Sequence, residues 1–392
     1  MLKKFLIYHL IPFSISLFLI VIIVISISFS NSIEKHVVIE GQQIKTKGWY
    51  SRIEGNEAEL NYISSIKNKN QITVFGSSEF SDSPYCPYNF LPDSLGLQTM
   101  GVGHAFHQSL SILCELLAVD KDVDSSKICI ILSPGWFATE GTNTSAFIEF
   151  VRPNFLTQII NNKNISSIYK EHIGEYIYNH QSEIDGISNE MEILRDYYLS
   201  EQGNLISKSI SKIRNHLKKS YPTKTIEYKE KLTFLETKIW NGDYHVLSKK
   251  LQNEFVSKIT TNNIYVYDEY YTTYLLDDNG KERKGNISEV DITNNTELND
   301  FKILVQYLKS KNVNCSFVIQ PLNPYCNMGL ENNNKLISVI TQTLSENNIP
   351  YFNMYLTTTD NYEPGTLKDI MHLGDYGWMK INMFLANLYH EN

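Results

Sequence analysis

The chain is 392 residues long, 42% apolar and 20% charged, with a formal net charge of −8. That length allows one large domain or two modest ones, and the composition excludes a disordered chain. The acidic balance argues against a general nucleic-acid binder, which presents a basic face.

The chain opens M-L-K-K and then runs from Phe5 to Ile33 without an Asp, Glu, Lys or Arg. About 20 apolar residues cross a bilayer as a helix. The run is longer than a signal-peptide core and lacks an Ala-x-Ala site, although a cleaved leader is the competing reading. Lys3 and Lys4 flank its short side, which places the N-terminus in the cytoplasm and the rest of the chain outside. Residues 1–34 are therefore expected to be a cytoplasmic tip and single-pass anchor. Residues 35–70 are polar and mixed, and read as a stalk with a short helix.

Beyond the stalk, short apolar runs end in small or polar residues. They are I-T-V-F before G-S-S, C-I-I-L before S-P-G-W, I-Y-V-Y at 264–267, and S-F-V-I before Q-P-L-N. Continuous runs of about four suit buried parallel strands rather than half-exposed antiparallel ones. Helix-period segments lie between them: Leu110, Leu113 and Leu117; Leu298, Phe301, Leu304 and Leu308; Leu336, Ile337, Ile340 and Leu344. The alternation predicts an α/β domain with a mainly parallel sheet over 71–392. Ligands in such sheets bind at the carboxyl ends of strands, where each polar loop begins. The stretch from about 155 to 260 differs, being long, polar and helical, and reads as an insertion. Within it Ile206, Ile210, Ile213 and Leu217 share a face, while Lys208, Lys212, Arg214, Lys218 and Lys219 take other positions. That pattern suits a solvated helix face, with an anion- or membrane-binding face as the alternative.

Five cysteines are too few for a disulfide scaffold. Cys114 and Cys129 fall in helix-like and strand-like runs and read as buried thiols. Cys86 and Cys326 fall in loops and are candidates to pair outside the cell. No Cys-x-x-Cys or His/Cys cluster has metal spacing, so no structural metal and no cofactor is expected.

Two stretches carry candidate chemistry. V-F-G-S-S-E-F at 74–80 ends a strand on two hydroxyls, and D-I-M-H-L-G-D-Y-G-W at 369–378 sets Asp369 three residues before His372. An i, i+3 pair can meet side chain to side chain. A carboxylate there would hold the imidazole Nδ1–H and leave Nε2 to take a proton from a hydroxyl. The G-x-S-x-G elbow is absent, since Ser78 is followed by Glu79 and Phe80.

A serine just after the first strand with D-x-x-H near the C-terminus resembles the SGNH (GDSL-like) esterase layout. The resemblance narrows over F-G-S-S-E-F, G-H-A-F-H-Q-S-L, L-S-P-G-W-F, Q-P-L-N and D-I-M-H-L-G-D-Y-G-W. Their order is similar to that of the DltD family, membrane-anchored proteins of teichoic acid D-alanylation in Gram-positive bacteria. The resemblance implies an SGNH-hydrolase-like three-layer sandwich. It implies Ser78 as nucleophile, His372 as general base and then acid, and Asp369 as its orienting group. Gly103 and Ser78 would supply backbone N–H groups to an oxyanion. Ser77 stands where the wider fold has Asp. The fold's third oxyanion donor is an Asn, and the corresponding loop here is S-P-G-W, which leaves that role to Trp136 or the backbone around it. Gln320 and Asn323 of Q-P-L-N join the candidate substrate-binding residues.

Glu79 would face the ammonium of a D-alanyl group or, equally, serve as a first-turn residue after a serine cap. His104 and His107 are rival bases. The implied activity is seryl acyl transfer of D-alanine to lipoteichoic or wall teichoic acid, outside the cell. The implied partners are the polymer, a membrane-bound O-acyltransferase and the D-alanyl carrier pathway. The alternatives are an esterase or thioesterase acting on envelope acyl groups, and a non-catalytic scaffold for a membrane acyltransferase.

Overall fold

The computed structural model describes residues 36–40, 49–50, 62, 65–81, 83–138, 141–184, 186–202, 225–229 and 242–389. The expected anchor at 1–34, most of the expected stalk and the basic helical run at 206–219 lie outside the described residues. Among the described residues, no helix is long and apolar enough to cross a membrane.

Ten strands are described: β1 His36–Glu40, β2 Trp49–Tyr50, β3 Ile72–Phe75, β4 Thr99–Val102, β5 Lys127–Leu132, β6 Thr225–Lys229, β7 Gly285–Asn286, β8 Asn314–Ile319, β9 Asn327–Met328 and β10 Tyr351–Asn353. The main helices are α1 Pro87–Leu95, α2 Ser109–Ala118, α3 Thr144–Phe150, α4 Pro153–Asn161, α5 Ser167–Asn179, α6 Asn189–Gln202, α7 Tyr244–Ser257, α8 Thr296–Ser310, α9 Asn334–Glu346 and α10 Asp375–Tyr389. The chain forms two compact units. One holds β1 and Arg152–Lys229, with α4, α5, α6 and the parallel pair β1–β6. The other holds Gly41–Val151 and Glu230–Asn392.

The second unit is built on a parallel sheet in the order β10-β8-β5-β3-β4-β2. Three of the four predicted runs are its centre. Ile72–Phe75 is β3 to the residue, and C-I-I-L and S-F-V-I are the last four residues of β5 and β8. All four positions of β3 are buried, as strands covered on both faces require. On one face Ile72, Val74, Cys129, Ile131 and Val318 pack with Trp378, Met379, Ile381 and Leu385 of α10. On the other, the ring of Phe317 meets Phe301 of α8 edge to face at 5.8 Å. The leucines that announced α2, α8 and α9 are all buried.

Local chemistry sets the helix limits. Asn295 caps α8 by accepting from Leu298 N–H at 2.8 Å, and its amide donates to the Phe137 carbonyl at 2.7 Å. Asp243 caps α7 through His245 N–H at 2.7 Å. Pro87 starts α1 at a first-turn position where its missing N–H costs nothing.

One expectation is corrected and one open alternative is decided. I-Y-V-Y at 264–267 is not a strand: Tyr265 has φ +54°, and the Asn262 side chain binds the backbone at Ile264 and Val266. Left-handed backbone cannot continue a pleated strand. Cys86 and Cys326 do not pair; all five cysteines are free and buried. They lie in different apolar clusters, and burial pushes the Cys326 thiol up to about 12.

Candidate active site

The end of β3 and the segment before α10 meet at the carboxyl edge of the sheet. Ser78 follows β3 in an exposed turn. Its Oγ lies 3.1 Å from His372 Nε2, across 294 residues of sequence. His372 Nδ1–H donates to Asp369 Oδ2 at 2.9 Å. That bond puts the proton on Nδ1 and leaves Nε2 as the acceptor for the Ser78 hydroxyl. Asp369 is itself fixed, because its Oδ1 accepts from the N–H groups of Met371 at 2.9 Å and His372 at 2.7 Å. Burial works to raise the Asp369 carboxyl, but the His372 ring and these N–H groups outweigh it and hold it below its ordinary value.

The sequence around His372 explains this loop. Leu367 and Leu373 form an antiparallel bridge, and Lys368 N–H donates to the His372 carbonyl at 2.9 Å. Gly377 lets α10 start against the loop, since a Cβ there would lie 2.1 Å from the Thr366 carbonyl oxygen. Phe80 stacks on Trp378 with ring centroids 6.1 Å apart and planes within 12°. Ser83 Oγ donates to Asp375 Oδ1 at 2.6 Å. The two motifs are thus joined by their own flanking residues.

Gly103 has φ +144°, and a Cβ there would stand 1.9 Å from the Gly76 carbonyl oxygen. A glycine is required for the β4 loop to approach the β3 loop this closely. His107 fixes the same contact: its Nδ1 lies 3.1 Å from the Gly76 carbonyl and its Nε2 3.1 Å from Glu115 Oε2. Its ring is fully buried and stacks on Phe150 at 4.3 Å. His107 is therefore an internal strut rather than a second base. His104 contributes its carbonyl to the turn that accepts His107 N–H at 3.0 Å.

Glu79 is turned inward and 2% exposed, and its Oε2 accepts Ser77 N–H at 2.5 Å. The side chain of Gln320, buried directly after β8, is near enough to the same carboxylate to favour its charged form. Trp136 is buried, and its N–H donates to the Ser133 carbonyl at 3.0 Å, while Gly135 N–H donates to Ser133 Oγ at 3.3 Å. Asn323 is fully buried and wholly engaged inside the protein. Its amide donates to the Ile264 carbonyl at 3.0 Å, its Oδ1 accepts from Tyr325 N–H at 2.9 Å, and its own N–H donates to the Ile370 carbonyl at 2.9 Å.

Sequence reasoning missed the support of the His372 loop. Tyr267 N–H donates to the Lys368 carbonyl at 3.1 Å, and Ile370 packs on Ile264, Val266, Leu275 and Cys326. The signal was present in N-N-I-Y-V-Y-D, where Asn262 and Asp268 are turn formers. The β-branched and aromatic residues between them read instead as a strand.

A protein-family model described as DltD protein matches residues 53–390. No curated protein matches the chain.

Proposed function

Because the chain belongs to the DltD protein family, which ties it to D-alanine transfer in teichoic acid D-alanylation, we propose that Ser78 carries the D-alanyl group as a seryl ester. The observation that supports this most is the hydrogen-bonded line from Ser78 Oγ through the His372 ring to Asp369. Ser78 Oγ attacks the acyl carbon of the donor as its proton passes to His372 Nε2. The donor's leaving atom takes that proton as its bond to the acyl carbon breaks. A polymer hydroxyl then attacks the seryl ester, gives its proton to Nε2, and releases the ester on the polymer. Ser78 Oγ recovers the proton, so one set of groups serves both halves.

Asp369 holds the imidazole in the useful tautomer and stabilises the imidazolium formed in each half. The Ser78 N–H, which has no protein acceptor among the described residues, is suited to the developing oxyanion. Gly103 stands at the adjoining loop as the second donor.

On this reading the second unit is an SGNH-hydrolase-like three-layer sandwich. Its support is the order of the motifs, together with a parallel sheet whose central strand delivers the serine. The unit lies outside the membrane, tethered by residues 1–34, and receives D-alanine from a membrane-bound O-acyltransferase fed by the carrier pathway. The support for the tether is the run without formal charge between Lys4 and Glu34.

The test is the amount of mild-base-labile D-alanyl ester in envelopes of cells carrying Ser78→Ala, at matched membrane level. The expected result is collapse of the ester. An unchanged level rejects Ser78 as carrier and favours a scaffold, and a rise would mark a hydrolase.

A further inference from the structure

Three consecutive backbone N–H groups follow Gly76, and they are treated differently. That of Ser77 donates to Glu79 Oε2 at 2.5 Å, and that of Glu79 is near enough to the same carboxylate to favour its charged form. The N–H between them, on Ser78, has no protein acceptor among the described residues. A carboxylate that captures the Ser77 N–H fixes the 76–77 peptide plane, the one before the Ser77–Ser78 peptide that carries the middle N–H. It thereby fixes where the middle N–H and the Ser78 side chain point. A Cβ at Gly76 would crowd the Phe80 ring at 3.0 Å but would meet Glu79 Oε2 only at an ordinary contact distance of 3.5 Å.

The arrangement is costly to keep. Burial pushes the Glu79 carboxyl up, against the two N–H groups, the His372 ring and Gln320, which all favour its charged form. An ionisable group 2% exposed beneath a loop gains nothing over a neutral filler unless its acceptor geometry is used. Glu79 is also too deeply held to meet a substrate ammonium while it keeps these bonds.

We propose that Glu79, held by Gln320, is a positioning residue that locks the 76–79 turn so that the Ser78 hydroxyl faces His372 and the Ser78 N–H faces the oxyanion. This rests on Ser78 being the nucleophile, and the test separates the two ideas.

The probe is an alkyl fluorophosphonate reacting with the full-length protein in detergent. Ser78 Oγ forms the P–O bond, fluoride leaves, and the serine proton goes to His372 Nε2 and on to solvent. Both the rate constant and the final labelled fraction are read. Glu79→Gln replaces the charged acceptor of the Ser77 N–H by a weaker neutral amide that carries an NH₂ group in place of one oxygen. The expected result is a wild-type labelled fraction with a rate constant lower by roughly tenfold to a hundredfold, given that one lost oxyanion donor costs about 10²–10³. A role in stability alone would lower the labelled fraction and leave the rate constant of the folded molecules unchanged.

A Glu79→Gln rate within about twofold of wild type would overturn the proposal, on a scale where one lost donor costs about 10²–10³. If Glu79→Gln does not fold, Gln320→Met decides. It keeps the volume and removes the amide, and a wild-type rate in that folded variant overturns the proposal. A wild-type protein that labels no faster than Ser78→Ala removes the nucleophile reading, and the proposal falls with it.

Discussion

Glu79 and Asp369 are two carboxylates at one site with opposite electrostatics. Asp369 is held below its ordinary value because, although burial opposes it, the His372 ring and two N–H groups favour its ionised form. Its folded value is depressed, so its contribution to stability is complete above the unfolded carboxylate range near about 4. That contribution is lost as the pH falls through the lower folded value. Glu79 is raised, chiefly by burial. An acid with a raised folded value binds more protons when folded, so its contribution is complete below about 4 and fades as the pH rises through the folded value. Thermal midpoints across pH should show both signs. Asp369→Asn should lose its deficit to wild type on acidification, and Glu79→Gln should gain on wild type as the pH rises. Parallel curves for Glu79→Gln and wild type would mean that burial does not penalise the Glu79 charge. In catalysis, Asp369→Asn should reduce turnover by on the order of 10³–10⁴, the scale of losing tautomer control.

At the level of elements, the decisive contacts hold one loop to another. Trp378 is fully buried at the start of α10 and carries the Phe80 stack. Trp378→Ala should cost about 3–5 kcal/mol in urea unfolding, and it loosens the Phe80 side of the Ser78 turn. Asn323 joins the loop after β8 to Ile264, Tyr325 and Ile370. Asn323→Leu leaves the Ile264 carbonyl and the Tyr325 N–H unpaired, at about 1–3 kcal/mol each. A residue that served only as a substrate contact would leave stability unchanged on the same substitution, so urea midpoints decide between clamp and contact. The legible elements were those whose burial is written locally. I-T-V-F is a continuous apolar run, and Asp369 and His372 sit at a spacing that meets within one turn. Thr99–Val102 was not read as a strand, because a threonine and Gly101 dilute a four-residue apolar run. The segment 264–267 misled because periodicity does not encode the sign of φ at Tyr265. The inward turn of Glu79 and the Phe80–Trp378 stack depend on contacts that no local pattern contains.

For the molecule as a whole, the consequence is that the proposed chemistry is a property of the fully folded second unit. Ser78 and His372 are 294 residues apart, and nothing local brings them to 3.1 Å. Their meeting requires β3 seated between β4 and β5, and α10 packed on that sheet. Closing so long a loop carries an entropy cost of a few kcal/mol, which only the packed sheet and helix offset. Gly377 and Gly103 leave no slack, since a side chain at either would strike backbone 2.1 or 1.9 Å away. Loss of fluorophosphonate labelling and loss of tryptophan fluorescence, whose four sources all lie in the second unit, should therefore follow one transition in urea, as two probes of one cooperative unit do. If labelling disappears at a clearly lower urea concentration, the Ser78 turn and the His372 loop open ahead of the sheet. The Phe80–Trp378 and Ser83–Asp375 contacts would then be too weak to tie the two motifs to the core, and the site would be a locally unfolding segment rather than part of the core.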